Sequence, residues 1–270
     1  MQINRPTKTK TKSVSIKVII LKLPTMRTFT SPFFFSLVFY RSLHLSYAQM
    51  TSDYTRVVNL LGQTDGRDKI YKFTGGLCKV LAELSEGPSK ANYKKLGSSI
   101  TSARSLMRMA KFVGDGPKLL KIVDLVKKDG ICNVPLAKII EFFRTIGNSL
   151  YILGDNLAFI AKHKLIAADA KQITKYAKTA QFWGFFLAAV LDLIAINAAL
   201  QKRAADAAAS KKEVKKSAIS LTKNTADVLV TMATVGYLKE VWHPTTLVSG
   251  ALTCVSGGVA TYLNWEKTKK

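Results

Sequence analysis

Along most of the chain, apolar residues recur every three or four positions, the spacing that gathers them on one face of an α-helix. The period persists from Tyr54 onward, and the alternating β-branched runs that mark strands are few. Glycine and proline interrupt it at Gly87-Pro88, Gly114-Asp115-Gly116-Pro117, Gly130, Pro135 and Pro244. The intervals predict helices over 52–63, 67–86, 89–113, 117–128, 135–165, 168–210, 211–239 and 244–264. Pro135 and Pro244 are expected in the first turn of their helices, where a missing N–H is harmless.

Segment 96–113, LGSSITSARSLMRMAKFV, has the most informative pattern. With Leu96 at 0° and about 100° per residue, Ile100, Ala103, Met107 and Ala110 fall within about 40° of it. Leu106 and Val113 extend this stripe on one flank, and Arg104, Arg108 and Lys111 line the other. An apolar stripe with a basic flank predicts an interfacial helix lying among lipid headgroups. Leu96, Ile100, Leu106, Met107 and Val113 would enter the leaflet, while Arg104, Arg108 and Lys111 would grip anionic phospholipid. A helix of a soluble core shows a similar stripe, and this segment alone does not separate the two.

Two stretches are apolar enough to cross a bilayer. Residues 245–263 carry no charge and are followed by Trp265, Lys267, Lys269 and Lys270, a stop pattern for cytosolic headgroups. Ser249, Thr253, Gly257 and Thr261, with Gly250, Cys254 and Gly258, place small residues at a four-residue period and predict a close helix–helix face. Residues 182–200 are greasier but contain Asp192, which predicts a polar contact to a neighbouring helix. If both stretches span, the intervening residues 201–244, with Lys202, Arg203, Lys211, Lys212, Lys215 and Lys216, face away from the cytosol. That conflicts with the positive-inside rule. The expected fold is therefore an all-α helical membrane protein with an amphipathic interfacial helix and one or two membrane-spanning helices. Residues 50–181 form a cytosolic helical region, 201–244 a basic helical linker and 264–270 a basic tail.

Charge sharpens this picture. The 270 residues hold 41 Lys+Arg against 17 Asp+Glu, a formal +24, so the partner is a polyanion. A hydrophobic content of 48% and no nucleic-acid recognition motif favour an anionic phospholipid membrane over nucleic acid. Residues 1–49 are basic, contain no acid and carry the apolar patch Phe33-Phe34-Phe35. They read as a basic extension, either a transit-like stretch or a non-native one preceding a start at Met50. Cys78, Cys132 and Cys254 are scattered, and no histidine or cysteine pair has metal-ligand spacing. No cofactor is expected. Phosphate-loop, nucleophile-elbow and metal signatures are absent from the sequence, so an enzyme is not expected either.

The helix start Gly66-Arg67-Asp68-Lys69 resembles a motif of the peroxin-11 family of peroxisomal membrane proteins. Segment 96–113, with Ser102-Ala103-Arg104 and then Arg108 and Lys111, is similar to the family's amphipathic helix, and Asp155-Asn156 to its mid-chain aspartate motif. The resemblance covers residues 51–270. It implies a role in peroxisome elongation, proliferation and fission through helix insertion and self-association into a homo-oligomer. It also implies recruitment of a dynamin-like fission GTPase through an adaptor, import by the receptor peroxin-19, and residence in the peroxisomal membrane with the C-terminus cytosolic. The alternative is a peroxisomal membrane channel for small metabolites, lined by Asp192 and Asn197. In the Arg67-Asp68-Lys69 motif, a functional surface competes with an ordinary first turn capped by Asp65.

Overall fold

The computed structural model describes residues 47–268, with side chains from Asp53 onward. The extension expected over 1–49 lies almost wholly outside these residues. The chain separates into Met1–Met50 and Thr51–Lys270, and the helices below belong to the second unit, which α1 enters from Tyr47.

The described residues form eight α-helices: α1 Tyr47–Gly62, α2 Thr64–Leu84, α3 Gly87–Met107, α4 Gly116–Asp129, α5 Leu136–Lys162, α6 Ala170–Gln201, α7 Ala207–Val235 and α8 Thr246–Lys267. Every predicted helix is present, and the described residues contain no strand. Pro88 and Pro117 occupy the first turns of α3 and α4. Pro135 instead forms the cap of α5, and Pro244 precedes α8, whose cap is Thr245 with its side chain accepting from Val248 N. Pro135 thus opens α5 from the cap position, its carbonyl accepting from Lys138 N and Ile139 N, and Pro244 lies just outside α8.

Neighbouring helices follow a cycle, α3–α2–α8–α7–α6–α5, closed by contact between α5 and α3. α6 and α7 are antiparallel: Ser210 Oγ donates to Ala199 O (2.7 Å), Asn224 Nδ2 to Asp192 Oδ2 (2.6 Å), and Tyr237 meets Phe182 edge-on. α2 and α8 are antiparallel too, since Gly76 lies against Cys254 and Gly250, and Gly257 against Phe73. The small residues of α8 therefore meet a helix of the same chain. A Cβ on Gly257 would come 2.6 Å from Phe73 N, so only glycine permits this approach.

Beside a small apolar core that includes Tyr151, Ile152 and Ala177, several polar groups are buried and several large apolar ones exposed. Asp68, Asn156, Asn224 and Asp227 are buried, whereas Leu150 of α5, Leu193 of α6 and Val255 of α8 are exposed. Inside the cycle Lys72 Nζ donates to Asp227 Oδ1 (2.5 Å), joining α2 to α7. Burial pushes the Lys72 ammonium down to about 8, with Asp227 only partly offsetting it. α6 and α8 are long and apolar enough to cross a membrane, and less than a quarter of each apolar window is buried. A core helix of a water-soluble bundle would be mostly buried, so these are candidate membrane spans.

Candidate functional site

The chain turns at Gln63, between α1 and α2. A Cβ on Gly66 would stand 2.0 Å from Leu60 O, so the corner requires glycine there. Asp68 follows one turn of α2 after the corner and is 1% exposed. Its Oδ1 accepts from Arg104 Nε (2.9 Å) and its Oδ2 from Lys69 Nζ (2.8 Å). Burial by itself would raise the Asp68 carboxyl, but Lys69, Arg104 and Arg108 outweigh it and hold the group well below the ordinary carboxylate range. Asp65 does not cap the helix. The cap position is Gln63, which makes no side-chain cap bond, and Asp65 instead pairs with Lys111. Arg67 is exposed. Within the motif Asp68 is an interior anchor for α3, while Arg67 stands at the surface.

Segment 96–113 is not one helix. α3 ends at Met107, Ala110 adopts the left-handed conformation (φ 57°), and a 3-10 turn spans Lys111–Asp115. Asn156 of α5 holds this break: its Oδ1 accepts from Ala110 N (3.0 Å) and its Nδ2 donates to Arg108 O (3.4 Å). Arg108, 8% exposed, donates to the Tyr151 hydroxyl, and its Nη2 pairs with Asp155 Oδ2 at 3.0 Å.

The exposed side of α3 is mixed, with Leu96 and Leu106 beside Lys94, Lys95, Ser98, Ser99 and Thr101. Ser105, Arg104 and Arg108 turn inward, while Leu96 (50%), Leu106 (55%) and Val113 (65%) are exposed. Ile100 and Met107 are half-buried. Lys111 has its ammonium on Asp65. All three basic residues expected at headgroups are engaged by carboxylates of the same chain.

Gly66-Arg67-Asp68-Lys69, segment 96–113 and Asp155-Asn156, far apart in sequence, thus meet in a single polar junction of α2, α3 and α5. The family model for Peroxisomal biogenesis factor 11 (PEX11) matches residues 54–265, which contain the whole junction. The chain belongs to this family. Membership implies a role in peroxisome proliferation and biogenesis, in a family of generally non-enzymatic factors. With two candidate spans, it supports a location at the peroxisomal membrane. Neither the curated proteins nor the solved structures compared with the chain give a match.

Lys72, Asp227 and Tyr151 complete the interior network, a role the sequence alone did not assign to them. A signal was present: Asp68, Lys72 and Gly76, four apart, share one face of α2, and a charge stripe ending in a small residue marks a buried polar seam. Asp192 makes the expected polar contact, to Asn224 of α7. Asn197 is exposed and lies about 140° round α6 from Asp192, so the two do not line one surface.

Proposed function

We propose that this protein remodels the peroxisomal membrane by seating the exposed apolar side of α3 and its terminal turn in one leaflet. The placement of segment 96–113 supports this most directly: Leu96, Leu106 and Val113 stand outside while Arg104 and Arg108 are tied to Asp68 and Asp155. In water such exposed leucines gain nothing, whereas at a lipid boundary each contributes about 1 kcal/mol. The arginines act as positioning residues that hold the apolar side outward. Ile100 and Met107, half-buried, form the inner margin of the same stripe.

An apolar segment in one leaflet expands that leaflet relative to the other, and self-association concentrates the expansion into a tubule. Recruitment of a dynamin-like fission GTPase through an adaptor would then sever the tubule, and peroxin-19 would deliver the chain; both follow from the family resemblance. The test uses purified protein carrying Leu96→Ser, Leu106→Gln and Val113→Gln. Vesicles of phosphatidylcholine and phosphatidylserine should be bound roughly a hundredfold more weakly and should no longer tubulate. Tubulation equal to that of the unmodified chain overturns the mechanism, and ionic conductance without tubulation points to the channel instead.

The helix order also bears on orientation. With α7 antiparallel to α6 and then joined to α8, Lys202, Arg203, Lys211, Lys212 and Lys267 gather at one end of the α6–α7–α8 unit. The conflict with the positive-inside rule disappears if this end, with the C-terminus, is cytosolic. The basic linker expected over 201–244 is on this view mostly α7, a helix packed on both candidate spans.

A further inference from the structure

A cleft of about 300 Å³ opens between α2, α3 and α8, with Arg104 in its wall. Lys72, Lys79, Lys94 and Arg104 line it, Tyr71 and Tyr93 add phenolic hydroxyls, and no carboxylate is among its walls. Two of the four cations are already neutralised, Lys72 by Asp227 and Arg104 by Asp68. Lys79 of α2 and Lys94 of α3 pair with no acidic group among the described residues. The Lys79 residue is exposed overall, yet partial burial of its ammonium and then the nearby Lys178 and Arg104 lower its pKa, with no anion to offset them. The cleft thus holds an excess of positive charge on two facing helices.

We infer that this cleft binds a phosphate-bearing anion, with Lys79 and Lys94 supplying its principal contacts. A carboxylate offers oxygens in one plane, whereas a phosphate presents them toward several walls at once, matching donors on both α2 and α3. Lysine serves as a point charge for such a group without demanding bidentate geometry. The volume admits the phosphate together with a small polyol. Two sources share this chemistry: the headgroup of an anionic phospholipid, entering past the exposed Leu96, or a water-soluble phosphate ester. The inference stands apart from leaflet expansion, because binding in detergent solution involves no bilayer.

The full chain, purified in a neutral detergent, would be titrated calorimetrically with glycerol 3-phosphate and, separately, with phosphatidic acid in the same micelles. Lys79 and Lys94 hold no ion pair, so the K79Q/K94Q double variant should keep its helical circular dichroism. We expect at least one probe to bind, and the double variant to lose about tenfold or more in affinity. A matched variant, K127Q/K128Q on the exposed end of α4, should bind as the unmodified chain does. Tighter binding of phosphatidic acid assigns the cleft to a lipid headgroup, and tighter binding of glycerol 3-phosphate to a soluble ester. The inference is overturned if neither probe binds the unmodified chain. It is equally overturned if both variants lose affinity alike, which would mark a diffuse charge effect.

Discussion

Asp68 shows how one residue can be misjudged from its neighbours. In sequence it stands between Arg67 and Lys69 near a helix start, where an acid is ordinarily a solvated complement to the helix dipole. In the fold it is 1% exposed and takes both Lys69 and Arg104. Removing the carboxylate would strand the Arg104 guanidinium, which pairs with no other carboxylate among the described residues. Asp68→Asn is therefore expected to destabilise the protein by about 3–5 kcal/mol, measured by urea unfolding in detergent. A change within the range of an ordinary surface substitution would mean that water reaches the junction. The pH dependence has a definite sign. A carboxyl held below its ordinary value contributes stability that is fully present above about 3.9 and is lost as pH falls below that. The unfolding midpoint should hardly move on this account through neutral pH and should drop in acid, and the D68N variant should lack that part of the drop.

At the scale of elements, the helices were legible because a 3.6-residue apolar period and Gly/Pro punctuation are local signals. The break inside 96–113 was not, because it depends on a distant partner. Nothing in RMAKFV itself ends a helix; Asn156, from α5, satisfies Ala110 N and Arg108 O and so stabilises the left-handed residue. The same applies to the small-residue face of α8. Its period announced a close helix contact, but the partner proved to be α2 through Gly76 and Phe73. Gly257→Ala should force α8 away from α2, since its Cβ would stand 2.6 Å from Phe73 N. A loss of roughly 1–3 kcal/mol is expected. Faster proteolysis of the chain in detergent would report it, while Gly62→Ala, with open space around its Cβ, should have little effect.

The whole molecule departs from a water-soluble bundle in the placement of charge. Lys72 with Asp227, Arg104 with Asp68 and Arg108 with Asp155 lie inside the helix cycle, and the outward sides of α5, α6 and α8 carry Leu150, Leu193 and Val255. An apolar exterior favours lipid, and ion pairs in the interior spare their charges from it. Orientation is checked by single cysteines introduced in a background with Cys132→Ser. Positions 212 and 267 should react alike with a membrane-impermeant maleimide on intact peroxisomes. Position 240, beyond the far end of α7, should react only after permeabilisation. Opposite behaviour of 212 and 267 would refute the shared cytosolic end.

By itself the sequence determined the helical class, the order of the helices, the two apolar stretches and the motifs that place the chain in its family. Each of these is written in neighbouring residues, where periodicity and composition act directly. Only the tertiary structure decided which side of α3 faces out, which cation meets which carboxylate and which helix fills the small-residue face of α8. Those outcomes depend on partners distant in the chain, 181 residues apart for Phe73 and Cys254, and a helical period cannot tell a stripe that seeks a protein core from one that seeks lipid.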